Sequence, residues 1–446
     1  MYKRILTVAM AFVGITVGAG FASGQEVVQY FAGFGIWGVV AALIAAVIFA
    51  VSGLAFVQLG SYVLANDHSD VFGEVTHKYV AIFFDVVITF SLFCIGIAMM
   101  AGGGSSLNQQ FGLPVWVGST ILLALTIGIG LLDVDKVTAV IGGITPVMIV
   151  FVIIAAVYAF SHMHLSFAEM DAAAKSVHTA VPHWSMSILN YVPLALVLSV
   201  SMSIVIGGDI ANPKIAGWGG VIGGFVFGAL MVVATLALLS RIDVVAGDDL
   251  PMLTLVNQIH PWLGALMSVV IFLMIFNTAI GIYYALATRY SNNSRGRFVT
   301  LLVALPAAGF AISFMGFQNV VSYVYPVVGW VGLALTIVLL VAYFKTRSDI
   351  REETTRRGKI LRLFRLKMRN DKPFSKRHEK ALQTALEDSP ADTQDLHSTI
   401  GTAAVDQLEE ENVDYDILPE IEEAQEDTNQ DAADAEEPPA DSAKSQ

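Results

Sequence analysis

Val17-Gly18-Ala19-Gly20-Phe21-Ala22-Ser23-Gly24-Gln25-Glu26 lies inside the first apolar run of the chain, which extends from about Ile5 to Phe34. Three glycines, a serine, an amide and a carboxylate stand where a bilayer-spanning helix should be apolar. Each glycine weakens a helix by roughly 1 kcal/mol. A helix interrupted in hydrocarbon leaves backbone groups unpaired, and these are tolerated only where they face protein or a water-filled cavity. A broken first helix therefore predicts a cavity beside it at mid-membrane depth. Half-helix N-termini there face anionic groups and freed carbonyls face cations, as in many secondary transporters.

The rest of the chain fits a membrane setting. Hydrophobic residues make up 55% of it and charged residues 14%, against about 25% charged in soluble domains. The net charge of −13 is unevenly spread. Residues 1–344 carry 10 basic and 13 acidic side chains, residues 345–380 carry 14 and 5, and residues 381–446 carry 1 and 20. The chain thus divides into an apolar body, a basic collar and an acidic tail. Its one cysteine, Cys94, excludes an intrachain disulfide. Lys3-Arg4 before an apolar run imitates a signal peptide, but the run continues as a span and others follow.

Crossing a ~30 Å hydrocarbon core takes about 20 apolar residues. Ten runs qualify, near 5–34, 36–64, 79–103, 115–132, 136–160, 186–207, 216–240, 261–288, 298–315 and 320–344. With ten spans, Lys3, Arg4, Lys78, Lys136, Lys214, Arg289, Arg295, Arg297 and the collar share one side, and only Lys175 and Arg241 take the other. Basic loops stay in the cytoplasm, so both termini are expected there. On the outer side, the 161–185 loop holds four histidines and reads as an ordinary polar loop. Asp243, Asp248, Asp249 and the short apolar run after Pro251 read as a lid-like piece.

The sixth span is the second unusual one. It contains Asn190, Pro193 and serines at 199, 201 and 203, ending at Gly208-Asp209. Proline removes a backbone donor and clashes with the preceding turn. Breaks in the first and sixth of ten spans predict an all-α polytopic membrane protein built as two inverted five-helix repeats, with helices 1 and 6 broken.

This arrangement resembles the LeuT-type fold of amino-acid and related cation symporters. Gly18-Ala19-Gly20-Phe21-Ala22-Ser23-Gly24-Gln25-Glu26 looks more specifically like the bacterial YkvI-type membrane proteins of that superfamily. Met99-Met100-Ala101-Gly102-Gly103-Gly104 and Phe276-Asn277-Thr278-Ala279-Ile280-Gly281 are similar to the same group. The resemblance covers about residues 1–345. It implies a sodium-like site between the first and eighth spans, formed by the carbonyls of Gly14, Val17 and Met274 with Asn277 and Thr278. Oxygen ligands suit a hard cation. Asn277 stands where relatives carry a hydroxyl. Phe21 stands where a second sodium site would need a polar side chain, so that second site is not expected.

Glu26 is the sharpest single residue, because an ionisable group inside a span is costly. It can hold a substrate amine or carry a coupling proton. Ser23-x-x-Glu26 also has the spacing of a capping box, with the carboxylate returning to the cap backbone. Asp85, in the third span, is a second proton-coupling candidate or else a helix-to-helix tie. Asp209 is expected at the cytoplasmic interface, with Lys214 as a partner. Candidate substrate contacts are Gly18, Gly20, Ser23, Gly24, Gln25 and Glu26, joined by Ser199, Ser201 and Ser203 of the sixth span. Lone serines often only bond back to their own helix. The paired glycines at 219–220 and 223–224 read as close-packing positions.

The chain is expected to hold a transporter domain at 1–344, a basic amphipathic segment at 345–380 resting on anionic lipids, and a disordered acidic tail at 381–446. The tail has the opposite charge to the collar and can fold back on it. The reading is a cation-coupled secondary transporter of a small amino-acid-like or amine-bearing solute, with sodium or a proton as coupling ion and no other cofactor. The alternatives are a non-transporting membrane sensor or scaffold signalling through the tail, and a transporter of a lipid-linked envelope precursor. Neither an enzyme nor a nucleic-acid partner is expected, since no catalytic or phosphate-loop motif is present.

Overall fold

The computed structural model describes residues 2–65, 71, 78–132, 144–292, 294–411, 413–419 and 421–422. Among these the regular structure is helical, with one isolated bridge between Arg369 and Tyr415. The first crossing is in pieces: α1 (Tyr2–Thr16), α2 (Ala19–Ser23), α3 (Gln25–Tyr30) and a 3-10 turn (Ala32–Phe34). Gly18 is extended, at φ −85° and ψ 172°. Gly24 takes φ +81°, a left-handed geometry that L side chains rarely adopt, and a Cβ there would press on the Met252 backbone at 2.9 Å. The glycines therefore break the helix twice within eight residues.

The other crossings are α4 (Ile36–Val63), α5 (Lys78–Phe111), α6 (Val115–Gly130), α7 (Ile144–Ser161), α9 (Trp184–Gly208), α10 (Pro213–Ser240), α13 (Pro261–Tyr290), α14 (Arg295–Ser313) and α15 (Phe317–Met368). Shorter helices between the crossings are α8 (Phe167–Ala174), α11 (Ile242–Val245) and α12 (Pro251–Ile259). Among the described residues eight helices are long and apolar enough to cross a membrane. With the shorter apolar α6 and the divided first crossing, they are consistent with ten. The expected start of the fifth span, 136–143, lies outside the described residues.

The central packing follows the small residues. Cβ atoms on Gly53, Gly60, Gly207, Gly220 and Gly224 would collide with backbone carbonyls of the facing helix. Helix α4 thereby seats directly on α9 and α10, the close approach that glycine permits where hydrophobic exclusion between helices is absent. Asp171 of α8 accepts a hydrogen bond from the Ile36 N–H at 2.9 Å and so caps the outer end of α4.

Two expectations are corrected. The sixth span does not break: α9 is continuous from Trp184 to Gly208, with Pro193 inside it. One missing donor is tolerated in a membrane helix when its neighbours re-satisfy the freed groups. Ser199 Oγ donates to the Ala195 and Leu196 carbonyls, at 3.3 Å each, and Ser203 Oγ to the Ser199 carbonyl at 2.6 Å. These hydroxyls turn back onto their own helix, C-terminal to the Leu189 carbonyl whose usual donor Pro193 lacks. The tail is not wholly disordered from 381 either. Helix α15 runs on through the collar to Met368, and α16 (Lys376–Glu387) and α17 (Thr393–Glu410) fold against it.

Aliphatic spacing explains the folded tail. Leu382, Leu386, Leu396, Ile400, Ala404 and Leu408 close over Ile360, Leu363, Phe364 and Met368, with Leu64 from the end of α4. The collar's apolar face, expected on lipid, is spent on this small core. Charge follows the same pattern: Arg365 meets Glu411 at 2.6 Å and Lys367 meets Glu379 at 3.3 Å. Residues 423–446 lie outside the described residues.

Candidate functional site

The break in the first crossing opens onto an enclosed cavity. Its walls include Thr16, Gly18, Gly20, Phe21 and Glu26 from the first crossing, Ile95 and Met99 from α5, Tyr191, Leu194 and Leu198 from α9, Thr278 from α13 and Tyr325 from α15. Among the described residues, no lysine, arginine or histidine lines it. The space open to a water-sized sphere is about 30 Å³, room for one or two waters. A solute the size of an amino acid enters only if these walls separate.

Glu26 is the one charged wall residue. Tyr191 donates its hydroxyl to Glu26 Oε2 at 2.9 Å, and Tyr325 reaches the same carboxylate. A Cβ on Gly20 would collide with that carboxylate. Glycine at 20 is therefore what lets Glu26 fold back along its own broken crossing. The capping-box geometry does not form. Gly24 takes the cap position of α3, Ser23 Oγ donates to the Gly20 carbonyl at 2.7 Å, and the Gln25 N–H donates to Ser23 Oγ at 3.1 Å.

Neighbouring polar groups hold the tyrosines. Tyr30 donates to Asn190 Oδ1 at 3.0 Å, and Asn190 Nδ2 donates to the Pro326 carbonyl at 2.8 Å. The Tyr191 ring packs on Tyr30 and Phe31, with centroids 5.2 and 5.1 Å away. Three elements, α3, α9 and α15, are thus tied together beside the carboxylate. Tyr191 and Tyr325 were not among the residues singled out from sequence. The available signal was a tyrosine two residues before Pro193 and another directly before Pro326, each inside an apolar span.

The remaining candidates distribute as follows. Gly18, Gly20, Glu26 and Thr278 share the cavity. Ser23 is buried against Gly20, and Gly24 packs on Met252 and Leu238. Gln25 is buried with its Oε1 unpartnered. Ser199 and Ser203 are turned to their own helix, and Ser201 is partly buried on the same helix. Of the sodium-like set, Thr278 Oγ1 donates to the Met274 carbonyl at 3.0 Å, so its lone pairs remain available toward the cavity. Asn277 Oδ1 is buried without a partner. Gly14 and Val17 sit at the end of α1, with open space beside Gly14. Asp85 forms an ion pair with Arg289 of α13, away from the cavity walls. Asp209 follows the C-terminal end of α9, and burial raises its pKa. It has no ion pair with Lys214 among the described residues.

A hydrogen-bonded layer closes over these elements. Ser105 donates to Asp249 Oδ2 and Thr254 to Asp248 Oδ2, both at 2.6 Å. Gln109 bridges to the Leu250 carbonyl at 3.0 Å, and Gln29 to the Gln318 carbonyl at 3.3 Å. The acidic outer segment noted in the sequence is therefore stitched to α5, and its helix α12 rests on the Gly24 break through Met252.

No family model matches the chain. The chain is homologous to the membrane protein YkvI of Bacillus subtilis (strain 168), at 25% identity over 336 residues, 74% of this chain and 94% of YkvI. It is equally similar to the protein YyaD of that organism, at 25% over 334 residues, 74% of this chain and 94% of YyaD. Among solved structures it resembles MhsT in complex with L-phenylalanine, with a TM-score of 0.54 and 15% identity over 86% of this chain and 96% of that one. The chain is an all-helical membrane protein with the LeuT-type fold.

Proposed function

We propose that the chain is a cation-coupled secondary transporter that takes a small amine-bearing solute, working by alternating access. The observation that carries this reading is Glu26. It is a carboxylate in an enclosed mid-span cavity, held by hydroxyl donors and faced by no basic side chain. A bare carboxylate of that kind attracts a cation, and aromatic walls such as Tyr191, Tyr325 and Phe21 suit an ammonium group. Glycine backbone at 18 and 20 would meet the rest of the solute. The MhsT complex, with L-phenylalanine bound in a similar fold, is in keeping with an amino-acid-like ligand.

For coupling, Thr278 lines the cavity and donates to the Met274 carbonyl, and the neighbouring Asn277 Oδ1 has no partner; such oxygens, with the Gly14 and Val17 carbonyls, would suit a hard cation. Proton coupling through Glu26 is the competing arrangement. Asp85 is less suited to it, because its charge is already met by Arg289.

The test is thermal unfolding of the purified protein with amino acids, amines and compatible solutes, in sodium and in choline buffer at two pH values. A ligand that binds only the folded state stabilises it by mass action. A stabilising amine whose effect needs sodium, and loses that need in Thr278→Ala, supports the symporter. Uptake of the same solute into proteoliposomes must then follow the ion gradient. Binding without uptake under any gradient would instead assign the chain to the sensor class.

A further inference from the structure

The collar of α15 has two opposite faces, and the tail covers only one. A helix turns about 100° per residue. Residues Ile350, Glu353, Arg357, Ile360, Phe364 and Met368 cluster on one side and are buried. Arg347, Ser348, Arg351, Thr355, Gly358, Lys359 and Arg362 fall within an arc of about 120° on the other side, over about 22 Å of helix. That arc holds no acidic residue between 347 and 362.

The acidic tail neutralises the collar selectively. Arg365 and Lys367 have carboxylate partners in the tail, while Arg356 and Arg357 share Glu353. Arg351, Lys359 and Arg362 are exposed and make no ion pair among the described residues. They face a groove of about 980 Å³ between α15 and α16, together with Arg356, Thr355, Gly358 and Thr384. Two carboxylates, Glu352 and Asp388, also line it. Gly358 has open space where a side chain would stand, so the groove floor is accessible at its centre. The stripe points away from the face on which Arg357 reaches the end of α4.

We propose that this groove is a binding site for a multiply charged phosphate anion. Guanidinium groups match phosphate oxygens in paired hydrogen bonds. Lys359 supplies a compact charge between the two arginines. The flanking Glu352 and Asp388 repel any anion in proportion to its charge, so preference for a multiply charged phosphate rests on Arg351, Lys359 and Arg362 outweighing them. The phosphate can come from a soluble polyphosphate-type ligand or from a lipid headgroup, and the two sources separate by experiment.

The full-length protein in neutral detergent is titrated with pyrophosphate at constant ionic strength, followed by thermal unfolding and by calorimetry. Pyrophosphate should stabilise it where inorganic phosphate and chloride do so far less. The combined Arg351→Gln, Lys359→Gln, Arg362→Gln variant should raise the half-saturating concentration at least tenfold. Arg369→Gln, Lys372→Gln, Lys376→Gln removes the same charge elsewhere in the tail and should change it less than twofold. Lys359→Glu alone offers a milder variant whose folding is checked by an unchanged unfolding temperature without ligand. A parallel titration uses micelles containing cardiolipin, a lipid with two phosphates, or phosphatidylcholine. A response to cardiolipin alone, lost in the groove variant, assigns the phosphate to the bilayer; a pyrophosphate response assigns it to the cytosol. Equal responses in the two triple variants, or no response to either phosphate source, would overturn the site.

Discussion

Two carboxylates sit in enclosed places in this chain, and their surroundings differ in kind. Glu353, on the extension of α15 beyond its apolar run, is fully buried and fully matched. Arg357 Nε donates to its Oε1 at 2.8 Å, Arg356 meets the other oxygen, and Ser389 adds a donor at 2.6 Å. The Arg357 guanidinium then reaches the Ser61 and Tyr62 carbonyls, at 2.5 and 2.6 Å, closing the open C-terminal end of α4. Burial lowers the Arg357 pKa and the adjacent Glu353 carboxylate opposes that. Glu26 has hydroxyl donors instead of a guanidinium, and it keeps part of its surface turned to a cavity. Unmatched buried polar atoms, Gln25 Oε1 and Asn277 Oδ1, lie on the same broken crossing and on α13. A group that only holds the fold is surrounded until nothing is left to bind; a group that binds is left short of a partner. Under the proposed transport function, that is the contrast expected between a structural and a binding charge.

The largest expected effect falls on the matched centre. Arg357→Ala leaves Glu353 buried with one of its two cations gone and frees two α4 carbonyls. The loss should be about 3–5 kcal/mol, read as a large drop in unfolding temperature and as early proteolysis of the tail. Replacing both members with apolar residues, Glu353→Leu with Arg357→Met, should recover much of it, since removing a buried pair together costs far less than stranding one charge. If the double variant is as unstable as the single one, the α4 carbonyls and not the ion pair dominate.

Glu26→Gln should behave in the opposite way. The amide keeps the shape and one acceptor, so stability should shift by no more than about 1 kcal/mol. Binding of an ammonium ligand should weaken roughly 10- to 100-fold, the worth of a charge-assisted contact. Calorimetry with the best stabilising amine checks both quantities. A collapse in stability comparable to Arg357→Ala would place Glu26 with the structural charges and break the contrast.

Gly20→Ala comes next. Its new methyl group would occupy the space of the Glu26 carboxylate, so the carboxylate must swing away from Tyr191. Ligand affinity should fall about tenfold or more, with the charge still present. Tyr191→Phe removes one hydroxyl donor and leaves Tyr325, and should cost about 0.5–1.5 kcal/mol, up to roughly tenfold in affinity. Gly20→Ala weaker than Tyr191→Phe would mean that the position of the carboxylate matters less than its hydrogen bonds.

How much of this was legible follows from range. The broken first crossing was readable because glycine acts locally: Gly18 and Gly24 sit where the backbone leaves the helix, and no distant partner is needed to see it. The enclosed position of Glu26 followed from its placement in an apolar run. The role of the sixth span was misread for the same reason in reverse. Pro193 and three serines look like a break in isolation, but α9 runs on through Pro193 with Ser199 and Ser203 bonded back to their own helix, and the cavity residue it supplies is Tyr191, whose partner is 165 positions away. Tyr325 is hidden likewise. The tail was misread because its acidic composition outweighs a sparse aliphatic pattern. Leu382, Leu386, Leu396, Ile400 and Leu408 suffice only when α15 supplies the opposite wall, an arrangement that composition does not encode.

The smallest effect tests where the tail is held. Arg4 of α1 and Asp406 of α17 form an ion pair at 2.7 Å with 41% and 49% of their side-chain surfaces exposed. At that exposure the charges are already well solvated, and ordering two flexible side chains offsets most of the attraction. A double-mutant cycle of Arg4→Ala and Asp406→Ala should therefore return only about 0.2–1 kcal/mol, shrinking further in high salt. The tail should stay docked in both single variants, because Leu64 and the α15 face hold it through the apolar core. A coupling of several kcal/mol that resists salt would show that this pair acts as a third enclosed charge centre. The attachment of the tail to α1 would then be structural in the same sense as its attachment to α4.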